Sequence, residues 1–373
     1  MEDFKLVCPC LLGVEGLAAD EIRRMGAENV EAQNGRVVFA GSEEMLARAN
    51  LWSRCGERIL ILMGEFTARS FEELFQGVKA LPWERWIGRK DAFPVKGSSL
   101  SSQLVSVPDC QSIVKKAVVE RLKQKYAVSW FEETGTKYQI RFLILKDRVS
   151  LMIDTSGEGL HKRGYRANSA VAPIKETLAA AMVSLSRVRR DAHLIDPFCG
   201  SGTILIEGAM YALNIAPGLR RSFVGEEFAG IDGRVWQTER ERARELERHD
   251  VSFQALGFDV DPAALSLTLE NAKKAGVGDR IRAEKRDISQ FRAEGESGCV
   301  ICNPPYGERL LDLKQAQEIY RAMGRTFERR HFWSYSIISP DDTFEDCFGR
   351  KADKRRKLYN GMIRCQYYMY FKA

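Results

Sequence analysis

Apolar residues recur with the spacing of short strands and helices along residues 1–154 of the chain. An apolar run at Phe4–Cys10 predicts a strand, Gly16–Gly26 predicts a short helix, and Val30–Phe39 predicts a hairpin. The same patterns predict seven further elements, which are in chain order a helix at Met45–Trp52, a strand at Arg58–Phe66, a helix at Ser70–Leu81, a strand at Ala92–Lys96, a helix at Pro108–Tyr126, and strands at Tyr138–Leu145 and Val149–Asp154. No group of side chains typical of catalysis stands among them, so we interpret this region as a binding half.

Strands and helices alternate in the second half of the chain. The predicted elements are a helix at Pro173–Leu185, a strand ending at Ile195, a helix at Thr203–Met210, a strand at Ala255–Val260, a helix at Pro262–Ala275, and strands at Ile281–Lys285, Gly298–Cys302, Trp333–Ser339 and Arg364–Phe371. This alternation predicts a doubly wound parallel sheet that continues to the last strand. A long excursion at residues 214–254 interrupts it and contains a predicted charged helix around Thr238–Arg248. Two roles are open for this excursion: it covers the sheet, or it contacts substrate.

A glycine-rich turn follows the first strand of that sheet, in the stretch HLIDPFCGSGTILIEGAM at His193–Met210. Gly200 and Gly202 allow the backbone to pass close to a ligand. The turn lacks the dinucleotide fingerprint, because Leu205 stands where a third glycine is required. We therefore predict a cofactor turn of another kind.

Polar residues stand at the ends of four predicted strands. They are Asp196, Asp259, Asp287 and Asn303, the last within CVICNPPYGERL at residues 299–310. Doubly wound sheets bind ligands beyond the carboxyl ends of their strands, so these side chains predict a site at one edge. Asp261 is a rival for Asp259, since it precedes Pro262 and could simply start the next helix.

Composition narrows the setting of the protein. At 373 residues the chain is long enough for two or three domains. No apolar run approaches a membrane span and the start of the chain does not resemble a signal peptide, so we expect no membrane and a cytoplasmic location. The nine cysteines are scattered, which favours reduced thiols. Neither Cys8 and Cys10 nor Cys299 and Cys302 has a second pair nearby, so we expect no metal.

Basic residues slightly outnumber acidic ones, which gives a net charge of +6 and permits RNA binding without requiring it. Two local clusters are more informative, because either could bind phosphate or form a solvated surface. Their members are His161, Lys162, Arg163 and Arg166 in the first, and Arg350, Lys351, Lys354, Arg355, Arg356 and Lys357 in the second.

Four motifs in order, DPFCGSGT, GFDVDP, the post-strand Asp287 and NPPY, resemble the class I S-adenosylmethionine-dependent methyltransferases that modify exocyclic amines. HKRGYR, followed by APIKETLAAAM, and the preceding α/β half resemble the THUMP-domain RNA methyltransferases, particularly the bacterial large-subunit rRNA guanine-N2 group. The resemblance implies a ferredoxin-like subdomain at residues 1–68, a THUMP RNA-binding domain at 69–154, and a Rossmann-like methyltransferase domain at 155–373.

The resemblance also implies a role for each motif residue. Gly200 and Gly202 would pass under the methionine part of the cofactor, whose amino group Asp196 would hold. Asp259 would take the ribose hydroxyls, and Asp287 with the backbone of Ile288 would bind the adenine amine. The full set of implied cofactor contacts is Asp196, Pro197, Phe198, Cys199, Gly200, Ser201, Gly202, Asp259, Val260, Asp287, Ile288 and Asn303.

NPPY would supply the catalytic residues. The Asn303 side-chain oxygen and the Pro304 carbonyl would accept both hydrogens of the target amine, and Tyr306 would stack on the base. Cys199 is a tempting nucleophile, but no histidine is arranged to activate it.

The leading hypothesis is methylation of guanine N2 in structured RNA, with 23S rRNA favoured, and with Lys162, Arg163 and Arg166 contacting the RNA. Four alternatives remain at this stage: guanine N2 in tRNA, adenine N6 in DNA, a protein glutamine, and a non-catalytic RNA-binding or assembly factor.

Overall fold

The computed structural model describes residues 3–166, 173–306 and 313–372. Each half of the chain forms a seven-stranded mixed sheet with helices packed on it. This confirms the predicted fold class at the level of architecture, an α/β region followed by a doubly wound sheet. None of the helices in the three described ranges is long and apolar enough to cross a membrane.

All the elements predicted for the first half are present. They are β1 (Phe4–Pro9), α1 (Glu15–Arg24), β2 (Glu28–Gln33), β3 (Arg36–Gly41), α2 (Glu43–Trp52), β4 (Leu60–Thr67), α3 (Phe71–Lys79), β5 (Val95–Leu100), α4 (Val107–Tyr126), β6 (Ile140–Leu145) and β7 (Arg148–Asp154). The largest shift concerns β5, which was expected at Ala92–Lys96. Pro94 lies within that expected range and has no N–H for a strand ladder, so regular pairing begins only after it.

The strands of the first half form one continuous sheet in the order β2-β3-β1-β4-β7-β6-β5. β4 joins its two parts, because it pairs antiparallel with β1 on one side and with β7 on the other. The predicted boundary at residues 68 and 69 therefore lies between β4 and α3, beside a sheet that spans both regions. The boundary itself stays a prediction.

The second half contains more elements than the patterns predicted. They are α5 (Glu176–Leu185), β8 (His193–Asp196), α6 (Thr203–Ala212), α7 (Gly233–Glu245), β9 (Gln254–Asp259), α8 (Pro262–Ala275), β10 (Ile281–Lys285), β11 (Gly298–Cys302), α9 (Leu313–Thr326), β12 (Trp333–Ser339), α10 (Phe344–Phe348), β13 (Lys354–Asn360) and β14 (Ile363–Tyr370). The helices α9 and α10 and the strand β13 were not predicted. β13 was not predicted because it begins with a run of charged residues. It is an edge strand, which leaves most of those side chains at least partly exposed.

The second sheet has the order β10-β9-β8-β11-β12-β14-β13, in which β14 runs antiparallel to both neighbours. The chain moves outward from β8 to β10 and then returns to place β11 on the other side of β8. This creates a topological switch point between β8 and β11. Ligands of doubly wound sheets bind at such a point, beyond the carboxyl ends of the strands.

The excursion at residues 214–254 packs against the first half of the chain. Phe228 stacks on Tyr138 with ring centroids 4.2 Å apart. The Gly218 N–H donates to the Leu51 carbonyl at 2.8 Å. The segment thus joins the two halves, a role that neither of the two sequence-based alternatives described.

Candidate active site

The four predicted strand-end residues lie along one edge of the second sheet. Asp196 and Asp259 are the last residues of β8 and β9, Asn303 directly follows β11, and Asp287 follows β10 by two residues. Their strands are consecutive in the sheet order. The fold therefore brings these side chains to the switch-point edge.

The turn after β8 needs both of its glycines, for different reasons. Gly200 and Gly202 have φ angles of +53° and +78°, a region that L side chains rarely adopt. A Cβ at Gly200 would meet no atom within 4 Å, whereas one at Gly202 would lie 2.8 Å from the Thr268 side chain. Gly200 therefore borders open space that a ligand can use, and Gly202 allows α8 to pack closely.

Two residues that sequence reasoning missed hold this turn. The Thr268 hydroxyl donates to the Gly200 carbonyl at 2.9 Å, and the Asn271 amide donates to the Ser201 carbonyl at 3.0 Å. Both side chains are buried on α8. Their spacing of three residues puts them on one helix face, and that is the signal that could have identified them.

The structure distinguishes Asp259 from its rival Asp261. The Asp259 carboxylate accepts hydrogen bonds from the N–H groups of Gly200 and Asp261, each at 3.0 Å. Asp261 caps α8 by accepting from the Ala263 N–H at 2.9 Å. Asp259 is thus tied to the glycine turn, while Asp261 serves the helix, and this favours Asp259 as the ligand contact. Val260 between them is largely exposed.

Asp196 is almost fully buried, with 1% of its surface exposed, and accepts a hydrogen bond from the Phe198 N–H at 3.0 Å. Burial, with a smaller contribution from the nearby Asp259 carboxylate, raises the pKa of this carboxyl to about 8. A cation placed beside Asp196 would favour its ionised form. Burial, aided by Asp196, also raises the pKa of the Cys199 thiol, which argues against Cys199 as a nucleophile.

Asp287 begins a short 3-10 turn and accepts hydrogen bonds from the Ser289 hydroxyl at 2.6 Å and the Ser289 N–H at 2.9 Å. These bonds lower the pKa of Asp287, so it remains ionised near neutral pH. Ile288 is buried directly after it. Pro197 is buried and Phe198 half-buried in the turn after β8.

The end of β11 presents an unsatisfied acceptor. The Asn303 side-chain oxygen is buried and has no hydrogen-bond partner among the described residues. A buried carbonyl without a donor is costly, so such atoms often mark a site that a ligand completes. Pro304 is buried beside it. The rest of the predicted motif, residues 307–310, lies outside the described residues.

The Tyr306 hydroxyl is held by the hairpin that β13 and β14 form. It accepts a hydrogen bond from the Asn360 amide at 2.7 Å and contacts the Cys365 sulfur at 3.8 Å. Burial raises the pKa of Tyr306, so the phenol stays neutral. Sequence reasoning missed Asn360 because β13 was not predicted, and it gave Cys365 no role although the strand that carries it was predicted.

The prediction that Arg163 contacts RNA is wrong. Its side chain is only 2% exposed, and the guanidinium donates to the carbonyls of Ser53 at 3.3 Å, Arg54 at 2.5 Å and Leu160 at 2.7 Å. It also lies 3.4 Å from the Glu207 carboxylate. Arg163 thus connects the residues that follow α2 in the first half to Glu207 on α6 in the second half.

The other two predicted RNA contacts differ from each other in exposure. Lys162 is exposed and pairs with Glu158 at 2.6 Å. Arg166 is half-buried and donates to the Ile174 carbonyl at 3.1 Å and the Thr203 hydroxyl at 2.8 Å. Of these three residues only Lys162 is exposed, and it is paired with Glu158, so the stretch does not form the continuous basic patch that its sequence suggested.

Neither of the two most prominent cavities lies at the candidate site. The larger, about 930 Å³, lies between α1 and α2 of the first half and the amino ends of β8 and β9. It is on the edge opposite Asp196 and Asn303, so it is not the candidate active site. Within the described ranges, no cluster of three or more His, Cys, Asp or Glu side chains could hold a metal ion.

Comparison with known proteins identifies the family. Residues 163–369 match the family model described as RMKL-like, methyltransferase domain. The chain belongs to this methyltransferase family. The chain also matches two further family models, an RlmL ferredoxin-like domain at residues 5–60 and a THUMP domain at residues 68–154. The predicted family and enzyme class are confirmed.

Three relatives illustrate the match. "Putative RNA methyltransferase YpsC" of Bacillus subtilis is 43% identical and covers 100% of this chain and 97% of its own. "Ribosomal RNA large subunit methyltransferase K/L" of Syntrophotalea carbinolica is 35% identical and covers 95% of this chain, which spans only 52% of that protein. The crystal structure of SMU.472, complexed with SAH, is 41% identical with a TM-score of 0.94, and covers 100% of this chain and 99% of its own.

Proposed function

We propose that this methyltransferase methylates the N2 amine of guanine in structured RNA, with 23S rRNA as the first candidate. The observation that supports it best is the buried, unpartnered Asn303 oxygen at the end of β11. An exocyclic amine brings N–H donors, and an acceptor fixed in advance is what such a substrate requires.

S-adenosylmethionine is the cofactor, and the described residues fit it. A relative 41% identical over the whole chain was solved with the demethylated product, SAH. In this chain, open space borders Gly200, and Asp196 and Asp259 lie at adjacent strand ends. When bound, the cofactor supplies a methyl group on a sulfonium. Asp196 would hold its amino group, Asp259 its ribose hydroxyls, and Asp287 with Ile288 its adenine.

The catalytic residues would act mainly by positioning. The lone pair of an aromatic amine is delocalised into the ring, and acceptors on its hydrogens make it more available. The Asn303 oxygen and the Pro304 carbonyl would accept these hydrogens, while the Tyr306 ring stacks on the base. The hydrogen bond from Asn360 would fix the orientation of the Tyr306 ring. Because the phenol stays neutral, Tyr306 would serve as a stacking platform and not as a base.

RNA is the substrate class. The THUMP match at residues 68–154 and the name of the YpsC relative support RNA, and the K/L relatives support rRNA. Because the chain spans about half the length of the K/L relatives, their whole activity is carried over only as a proposal. A base inside folded RNA must also be unstacked to reach Asn303. We place the enzyme in the cytoplasm, where its RNA substrate resides.

Nucleoside mass spectrometry tests the substrate. In cells that lack this protein, N2-methylguanosine should fall in 23S rRNA. Wild-type protein should restore it, and the Asn303→Ala variant, produced at the same level, should not. A loss confined to tRNA would replace rRNA with tRNA as the substrate. Loss of N6-methyladenine from DNA, with unchanged RNA, would overturn the proposal.

A further inference from the structure

A second cavity, of about 230 Å³, lies on the edge of the catalytic sheet opposite the active site, where β12 begins and β14 ends. Basic side chains dominate its lining. Arg329, Arg330, Arg350, Lys351 and Lys372 face a single acidic residue, Asp353. Part of this lining belongs to the second basic cluster noted in the sequence, for which the proposed function has no role.

Arg350 is the central residue of this cavity. Its guanidinium lies 4.9 Å from the ring centroids of Phe348 and Tyr370 and 5.5 Å from that of Tyr335. Its Nε and Nη2 atoms are buried and have no hydrogen-bond partner, and no described carboxylate forms an ion pair with it. Burial lowers the pKa of Arg350, which reflects the cost of keeping this charge out of water.

Two other residues of the lining bear on this charge. Asp353 is the one acid in the lining; it forms no ion pair with Arg350, and one of its carboxylate oxygens accepts hydrogen bonds from the N–H groups of Phe371 at 2.7 Å and Lys372 at 2.9 Å. Trp333 is only 4% exposed, and its indole N–H also lacks a partner. Three buried nitrogen donors without partners therefore belong to residues that line a cavity of net positive charge, and an anion with several acceptor oxygens that reached them would satisfy them.

We propose that this cavity binds one phosphate group. A guanidinium fork beside an N–H donor matches a tetrahedral oxyanion, and the aromatic rings hold the fork in place. The cavity is smaller than the roughly 300 to 1,000 Å³ of sites for drug-sized ligands, so one small anionic group fits it better than a whole nucleotide. The phosphate could belong to the RNA backbone, which rests on the proposed function, or to free phosphate, which does not.

Inorganic phosphate tests the site directly. Calorimetry on the full chain, with chloride at matched ionic strength as the reference, should show phosphate binding. Arg350→Gln should weaken it by about tenfold or more, the loss expected for charge-assisted hydrogen bonds. Because Arg350 also packs against aromatic rings and its loss could disturb the fold, the double variant Arg329→Ala and Lys372→Ala gives a second test at exposed positions. The matched control is Lys274→Ala, an exposed lysine on α8 away from the cavity.

The outcomes separate the site from the proposed function. Absence of phosphate binding by the wild type, or equal binding by both cavity variants, would overturn the site even if methyl transfer is normal. If the site holds RNA backbone, Arg350→Gln should reduce the log-log salt slope of RNA binding by roughly 0.7 to 0.9. An unchanged slope, together with lost phosphate binding, would assign the site to free phosphate.

Discussion

Asn303 is proposed to contact the target amine, so its replacement should affect chemistry more than cofactor binding. Asn303→Ala should lower the methyl-transfer rate on the order of 100-fold or more, the usual effect of losing one preorganised polar contact. S-adenosylmethionine affinity, measured by calorimetry, should change little. Near-normal turnover would contradict the assignment, and an equal loss of cofactor affinity would place Asn303 at the cofactor instead.

Asp259 and Asp261 offer a matched pair only two residues apart. Asp259→Ala should weaken S-adenosylmethionine binding by roughly 1.5 to 3 kcal/mol, because charge-assisted hydrogen bonds to the ribose are lost. Asp261→Ala should leave that affinity unchanged and instead lower unfolding free energy by about 0.5 to 2 kcal/mol through loss of the α8 cap. Calorimetry and urea unfolding of both variants check this, and a larger affinity loss in Asp261→Ala would reverse the assignment.

Asp196 should make stability depend on pH. Its pKa is raised to about 8 in the folded protein, against about 3.9 in an unfolded chain. The folded state therefore binds the proton more tightly, so the stabilising contribution is complete below pH 4 and is lost as pH rises to about 8. Asp196→Asn should remove this loss, and its unfolding free energy relative to wild type should rise by roughly 1 kcal/mol per pH unit in that window. If urea unfolding gives the same difference in free energy between Asp196→Asn and wild type at every pH from 5 to 8, the prediction is wrong.

Burial decides whether a charged side chain contributes to the stability of the fold. Lys162 and Arg163 are neighbours in the chain, yet one is exposed and the other is buried against the end of α2. Arg163→Met should lower the free energy of unfolding by about 3 to 5 kcal/mol, because Glu207 would keep a buried charge without its partner. Lys162→Met is the matched control and should leave the urea midpoint unchanged. If the two variants have the same urea midpoint, the buried contacts of Arg163 do not stabilise the fold.

The hairpin of β13 and β14 contacts both the candidate site and the first half of the chain. Through Asn360 it orients Tyr306, and at its other end Arg356 donates to the Gly13 carbonyl of the first half at 3.1 Å. A Cβ at Gly13 would come within 2.4 Å of the Lys357 carbonyl, so the two halves are in close contact there. The element that was hidden by its charges thus positions a proposed catalytic residue.

The two halves of the molecule share one apolar core, which includes Leu6 of β1 and Met369 of β14. Residues 214–254 strengthen the connection through α7. Glu239 on that helix is 3% exposed and accepts hydrogen bonds from the Arg48 guanidinium at 2.9 and 2.6 Å. This continuity implies that the first half is held in a fixed position relative to the catalytic edge.

A double-mutant cycle on Arg48 and Glu239 tests that connection. Arg48→Ala, Glu239→Ala and the double variant should give a coupling energy of about 1 to 3 kcal/mol in urea unfolding, as expected for a bidentate, mostly buried pair. Methyl transfer to RNA should fall while S-adenosylmethionine affinity stays unchanged, because every proposed cofactor contact lies in the second half. Additive effects, within about 0.5 kcal/mol, would show that the pair does not couple the halves.

The sequence alone was enough to locate the switch-point edge. An apolar strand, an acid and a glycine turn are adjacent in the chain, so local patterns place Asp196, Asp259 and Asn303 at strand ends and Gly200 in the turn after the first of them, where the structure has them. The alternation of strands and helices likewise predicted the sheet, since hydrophobic periodicity is a local property. The ligand roles of these residues remain predictions.

Only the tertiary structure decided which charges are available and what supports the site. The burial of Arg163, the Gly200 contact to Asp259, the joining role of residues 214–254 and the Asn360 contact to Tyr306 each depend on residues far apart in the chain. The sequence shows that a residue is charged, but it does not show whether the side chain faces solvent, an ion partner or aromatic rings. Long-range packing makes that choice, so the basic clusters could be found in the sequence but not interpreted from it.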